Sequence, residues 1–290
     1  MTTASRVAAD VLRVLPRKRI SSVMGRIADI SGPPLLVQSM IRTFVRIYDV
    51  DLSEAVIPAN GFGSFDAFFT RALKPDARAI DEHPDTVVSP ADGRIDDFGV
   101  IEAHSRFLVK GHEYEVGELL GAAEEAESFR GGTFFIVYLS PRDYHRVHAP
   151  VDGRVQRARH VDGTLWPVNS IGLQYVPKLF AQNERVVTMQ SSRFGTVATV
   201  MVGAIGVGRI SMSFDARITT NRGRPAGTLD YQERGPSLSR GGEVGRFHLG
   251  STAIVLLGPE HRFKFAVKAG DHVQMGQVVA RRLDASGESA

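Results

Sequence analysis

The chain has 290 residues, 43% hydrophobic and 23% charged, with a formal net charge of +3 and no cysteine. That is enough chain to bury a core in one large domain or two modest ones. The lack of cysteine excludes disulfides, thiolate catalysis and thiolate metal sites, and a charge this small gives no reason to expect a nucleic-acid partner.

The first fifty residues place apolar side chains at helical spacing. They are Val7, Val11, Leu12 and Leu15; then Val23, Met24 and Ile27; then Leu36, Met40, Ile41, Phe44 and Val45. Pro16 and the Pro33-Pro34 pair divide them into about three short helices. No long apolar core marks a secretory signal. Up to Arg46 the basic residues are Arg6, Arg13, Arg17, Lys18, Arg19, Arg26, Arg42 and Arg46, against only Asp10 and Asp29. Basic amphipathic helices can lie in an anionic membrane interface. Composition alone leans instead to a helical subdomain packed on the core with solvated arginines.

A loop with Pro58, Gly61 and Gly63 leads to an aromatic helix around Phe65, Phe68 and Phe69. From Val87 onward, short runs rich in Val, Ile, Phe and Thr alternate with Gly, Asp and Pro turns, which predicts a β-rich domain. Strands are expected over Thr133 to Leu139, Thr196 to Val202, Thr252 to Leu257 and Phe263 to Val267. The weakly polar run Thr196 to Gly208 is too short and too rich in glycine to span a membrane, which takes about 20 apolar residues, and reads as buried strand with a bend. Arg222 to Gly242 reads as a polar, glycine-rich loop, and the tail after Leu283 as frayed. The fold class is therefore α+β: amphipathic helices over 1–60, then a β-rich catalytic domain over 61–290.

Ser89-Pro-Ala-Asp-Gly-Arg-Ile95 is echoed by Ala149-Pro-Val-Asp-Gly-Arg-Val155, each a proline turn with Asp-Gly leading into a strand. Ala269 to Val278 resembles the hairpin of lipoyl- and biotinyl-type β-sandwich domains. It lacks the lysine a carried group needs, so the likeness is one of architecture.

Three segments can carry chemistry. In Leu249-Gly-Ser-Thr252, a Ser251 hydroxyl set against the Gly250 carbonyl could attack it if a base activates it, and glycine offers no hindrance. Most Gly-Ser pairs are nevertheless plain turns. In Tyr138-Leu-Ser-Pro-Arg-Asp-Tyr-His-Arg-Val-His148, Ser140, Pro141 and Asp143 resemble a helix start, and a helical turn would bring His145 and His148 to one side. On a strand the same spacing would point them apart. Two histidines with no accompanying ligand pattern make a thin metal site, so no metal is expected; taken alone they read as core histidines. Asp92, in Ser89-Pro-Ala-Asp-Gly93, is by default a turn former, though an aspartate can orient a histidine.

Together these segments resemble the phosphatidylserine decarboxylase family, of the bacterial membrane-associated kind. The resemblance covers nearly the whole chain. It includes Phe68-Phe-Thr-Arg-Ala-Leu-Lys-Pro75, Ser89 to Gly93, Tyr138 to Pro150, Leu179-Phe-Ala-Gln-Asn-Glu-Arg-Val186 and Gly245-Arg-Phe-His-Leu-Gly-Ser-Thr252. It implies that Ser251 attacks the Gly250 carbonyl, with His148 as base oriented by Asp92. The chain would split into 1–250 and 251–290, with Ser251 becoming a pyruvoyl group. That cofactor would form a Schiff base with phosphatidylserine and release carbon dioxide to give phosphatidylethanolamine. His145 would return the proton or handle the carboxylate, and Tyr138 would line the pocket. The implied partners are anionic membrane lipid, the lipid substrate and the chain's own two fragments, with room for a homodimer. The implied place is the cytoplasmic side of the cell membrane, as a peripheral protein; a lipid substrate turns the basic helices toward interfacial docking.

Competing readings are a pyruvoyl decarboxylase of a soluble amino acid, an ordinary serine hydrolase, and a non-enzymatic membrane-binding β-domain. The basic amphipathic N-terminus disfavours the first. The second lacks a Gly-x-Ser-x-Gly elbow. Intact motifs disfavour the third.

Overall fold

The computed structural model describes residues 17–206, 209–220, 226–250, 252–284 and 286. The expected helix through Val7, Val11, Leu12 and Leu15 lies outside them. Two helices open the described chain: α1 (Arg17–Asp29), directly after Pro16, and α2 (Pro34–Tyr48), with proline in its first turn. Helix α2 stops at Asp49, which turns left-handed at φ 53°. Val37 and Ile41 point inward, whereas Val23, Met24 and Ile27 of α1 and Leu35, Leu36, Met40 and Ile47 of α2 stay exposed. The pair thus buries a narrow stripe and leaves a wider apolar one uncovered. The aromatic helix α3 (Phe65–Phe69) is capped by Ser64, whose Oγ accepts the Ala67 N–H at 3.1 Å. Phe62, Phe68 and Phe69 join Val37, Ile41 and Val50 in a small core of their own.

Most of the remaining chain is antiparallel sheet. The largest sheet has nine strands among the described residues, and its centre is Thr252–Leu257. All six of that strand's residues are buried. It pairs along its whole length with Thr133–Tyr138 on one edge and with Gly195–Val202 on the other. Both neighbours are rich in Val, Thr and Phe, so a run apolar on both faces forms a sealed middle. Gly93–Val100 continues the sheet beyond Thr133–Tyr138; Arg185–Ser192 and Gly153–Val161 continue it beyond Gly195–Val202. A separate three-stranded sheet sets Glu243–His248 between Arg209–Met212 and Arg146–His148.

The segment expected as a loop over Arg222 to Gly242 is only partly one. Gly227–Asp230 and Ser237–Leu238 are short strands added to Gly153–Val161, and residues 222–225 lie outside the described ones. Their ladder partners are more than sixty residues away, so nothing local announces them. The Leu179 to Val186 motif is structural. Asn183 bonds the backbone of Trp166 and Gly203, and buried Arg185 donates to the carbonyls of Glu118, Leu119, Ala181 and Asn183.

The echoed turns meet each other. Val88 donates its N–H to the Pro150 carbonyl at 3.1 Å, and His148 donates its own to the Pro90 carbonyl at 2.7 Å. The donors are the residues two places before each proline, so the exchange is two-fold symmetric. It draws the Asp92 turn against the strand that ends in His148.

Ile254→Ala, in the sealed centre, is expected to cost about 2–5 kcal/mol. A urea titration should show a lower midpoint at unchanged slope. A cost under about 0.5 kcal/mol would contradict the burial of that strand.

Candidate active site

His148 is the best-defined group. Its Nδ1 lies 2.7 Å from the Gly241 carbonyl, and its Nε2 lies 3.1 Å from the Tyr144 hydroxyl. A carbonyl only accepts, so Nδ1 carries the proton and Nε2 keeps a lone pair to which Tyr144 donates. Burial holds the imidazole below its ordinary pKa, so the neutral form prevails. The Tyr144 hydroxyl is buried as well and is pushed up to about 12.

Asp92, expected to orient His148, makes no hydrogen bond to that ring. It accepts from Arg78 Nε at 3.0 and 3.2 Å, from Arg78 Nη2, and from the Met275 N–H at 2.8 Å. Arg78 also pairs with Glu54 at 2.6 Å. These carboxylates raise the guanidinium pKa, outweighing the opposing effect of burial. The Asp92 charge still reaches His148 through space, as one of the smaller influences favouring the imidazolium.

The two histidines part company. Ser140 and Asp143 do bond as expected, with the carboxylate accepting from both the Ser140 N–H and its Oγ at 2.7 Å. That contact closes a turn rather than a helix, and the chain then runs into strand Arg146–His148. His145 is fully buried, with its ring stacked on Phe69 at 4.0 Å between centroids. Neither ring nitrogen reaches a partner in good hydrogen-bond geometry, although the backbone of Pro141 and Ser140 lies near enough to favour the charged ring weakly. Burial first, and then the nearby Arg71 charge, lower its pKa to about 3.

His145 abuts the Gly250 junction: a Cβ built on Gly250 would sit 3.7 Å from its Cε1. That is ordinary contact, so space alone does not demand glycine there. Leu249, just before, has φ +94°, outside the regions a leucine normally occupies. Such a conformation costs on the order of 1–3 kcal/mol and persists only when its surroundings impose it. Here Leu249 packs against the aromatic cluster of α3, while Thr252 is locked into the sealed strand. Ser251 itself lies outside the described residues.

The matching family model is described as "Phosphatidylserine decarboxylase" and covers residues 65–281. A phosphatidylserine decarboxylase proenzyme of Methylococcus capsulatus is 44% identical over 84% of this chain and 85% of its own. The proenzymes of Bordetella pertussis and Ectopseudomonas mendocina are 43% and 42% identical, over 91% and 92% of this chain and 91% and 94% of theirs. This chain belongs to the phosphatidylserine decarboxylase family. The span matched to the phosphatidylserine decarboxylase family includes Asp92, Tyr138, His145, His148, Gly250 and Ser251, and leaves α1 and α2 outside it.

Within this family member, Tyr138 stands directly across the ladder from Thr252, one residue past the junction. It is half-buried, with the Arg94 guanidinium 5.4 Å over its ring. Tyr144 and Arg78 were not singled out from sequence. Tyr144 sits inside the histidine segment, whereas Arg78 gives no local sign, because its partner is fourteen residues on.

Arg78→Met is expected to leave the Asp92 carboxylate buried without its cation, at a cost of about 3 kcal/mol near neutral pH. In an Asp92→Asn background no carboxylate is left uncompensated, so the same Arg78→Met change should cost much less. Denaturant titrations of the two single variants and the double variant measure it. A deficit equal in both backgrounds would mean that the ion pair is not what Arg78 contributes.

Proposed function

We propose that this protein is a self-processing phosphatidylserine decarboxylase that yields phosphatidylethanolamine. The observation that carries the reading is the strained Leu249–Gly250 junction, flanked by a buried histidine, in a chain whose relatives are named proenzymes.

Neutral His148, through Nε2, takes the Ser251 hydroxyl proton as the oxygen attacks the Gly250 carbonyl. The amide C–N bond breaks and the freed nitrogen takes a proton, leaving an ester. Removal of the Ser251 α-proton then expels the Gly250 carboxylate. Dehydroalanine remains, and water converts it to a pyruvoyl group with loss of ammonia. Tyr144 must release Nε2 for the first step, and Asp92 favours the imidazolium that forms. Strain at Leu249 is relieved when the chain parts.

The site suits that group. Neutral His145 beside Gly250 carries one ring N–H, a donor that a carbonyl group or a carboxylate-bearing substrate would satisfy. Once formed, a pyruvoyl group supplies an electron-withdrawing carbonyl that takes up the substrate amine and the electron pair left by carbon dioxide. His145 binds so weakly to protons that it serves better as a neutral N–H donor to the substrate carboxylate than as a store for the returning proton. Tyr138, opposite Thr252, borders the same space.

The α1–α2 pair docks the enzyme on the membrane surface. Its uncovered apolar stripe supports this, and no helix of the described residues is long and apolar enough to cross a membrane. The basic residues divide into two sets. Arg17 stacks on Trp166 at 3.5 Å and bonds Thr164, while Lys18 pairs with Asp162 at 2.6 Å. These fasten α1 to the protein body. Exposed Arg19, Arg26, Arg42 and Arg46 remain for anionic lipid.

The purified protein is expected as two chains split after Gly250, the smaller without a free amino terminus, and Ser251→Ala as one. Intact mass under denaturing conditions decides it; a fully active, uncut wild type would refute the reading. His148→Ala should remain mostly precursor, because general bases contribute about a hundredfold to ten-thousandfold. As the His148 pKa lies below its ordinary value of about 6.5, self-cleavage should hold its rate down to that pH and slow only below it. A cleavage time course across pH 5–8 in which the rate already falls above pH 7 would remove His148 from the role of base.

Replacing Leu35, Leu36 and Ile47 with Ser, all exposed and so harmless to folding, should weaken co-sedimentation with anionic vesicles by about tenfold or more. Binding equal to wild type would return α1 and α2 to plain structural packing.

A further inference from the structure

Arg71 is 5% exposed, yet its Nε has no hydrogen-bond partner. Its Nη2 donates to the carbonyls of Arg142 and Asp143, both at 3.3 Å, and among the described residues no carboxylate pairs with the guanidinium. A buried cation without a counter-ion is costly; buried Arg185 meets that cost with four carbonyls at 2.6 to 2.8 Å, whereas Arg71 has two contacts at 3.3 Å and an unpartnered Nε.

Apart from Asp49, the carboxylates on the wall of the adjoining cavity are already engaged. Asp92 and Glu54 are held by Arg78, Asp143 by Ser140, and Asp51 by Ser53. Arg71 lines a cavity of 270 Å³ together with these groups, Arg142 and Tyr144. That volume is at the small end for ligand sites, suited to a headgroup rather than a whole lipid.

The position is as informative as the charge. Tyr144, on the cavity wall, touches the His148 Nε2. Asp49, also on the wall, ends helix α2 of the proposed docking pair. Phe69, two residues before Arg71, stacks on the His145 that borders Gly250. The cavity therefore lies between the uncovered apolar helices and the histidines.

We propose that this cavity is the headgroup subsite, with the Arg71 guanidinium pairing to the phosphodiester of the substrate; the assignment rests on the function proposed above. A planar guanidinium matches two oxygens of one phosphate, which fixes both the position and the reach of the headgroup. An anchored phosphate leaves the serine end free to approach the Gly250–Ser251 junction.

The test has a binding arm and a kinetic arm. In the uncleaved Ser251→Ala protein, which needs no activity, glycerophosphoserine should bind and shift the Arg71 Nε–H resonance, while free serine should not. Inorganic phosphate should compete with it. Arg71→Gln should weaken glycerophosphoserine binding by about ten- to a hundredfold, as expected for a charged hydrogen bond, and Arg71→Lys should restore part of it. In the processed enzyme, Arg71→Gln should raise KM for phosphatidylserine by a similar factor with kcat much less affected. An unshifted Arg71 resonance on adding glycerophosphoserine, or inorganic phosphate binding that glycerophosphoserine cannot displace, overturns the subsite. Because the resonance is read with Arg71 intact, the test survives should both Arg71 variants misfold. An uncut, inactive wild type that still binds glycerophosphoserine through Arg71 would fault the functional reading and leave the subsite standing.

Discussion

Two backbone hydrogen bonds, exchanged between the Pro90 and Pro150 turns, hold the site together. One runs from Val88 to the Pro150 carbonyl and the other from His148 to the Pro90 carbonyl. They seat the His148 strand against the turn that carries Asp92. The symmetry extends further: Asp92 accepts the Met275 N–H at 2.8 Å, and its counterpart Asp152 accepts the Arg240 N–H at 2.9 Å. The environments then diverge. Asp152 is open to solvent, whereas Asp92 is covered by Arg78 and the segment around Tyr144. A repeated framework has become one polar, desolvated site and one surface turn, because the N-terminal segment lies over only one of them.

What the sequence made legible follows from locality. The strands Thr133–Tyr138, Gly195–Val202 and Thr252–Leu257 are largely apolar runs, and the first two helices start at prolines, so composition and punctuation sufficed. The histidine segment was harder. Ser140 and Asp143 make the bonds of a helix cap, yet Val147 is fully buried and pairs with Gly245, so sheet contacts override the local signal. The strands at Gly227–Asp230 and Ser237–Leu238 exist only through a distant partner.

The electrostatics were the least legible part. Counting basic residues near the N-terminus cannot separate Arg17 and Lys18, spent on Trp166, Thr164 and Asp162, from the exposed Arg42 and Arg46. Nor does Asp92 reveal in sequence that Arg78 claims it. Asp92 lies close enough to influence His148 through space without bonding to it, which ties the site's charge balance to Glu54 and the N-terminal segment.

The sealed central strand has a consequence for how the protein comes apart. Thr252–Leu257 is bonded on both edges and buried on both faces, and it follows the junction directly. A chain parted there cannot release its short C-terminal piece without tearing open the middle of the largest sheet, so dissociation and global unfolding become one event. The loss of one peptide bond then changes the molecularity of that event. Unfolding of the uncut chain is unimolecular and indifferent to dilution, whereas the parted pair must find each other again to refold. Its reversibility would depend on concentration, and a processed molecule once unfolded in a dilute compartment would have little prospect of return.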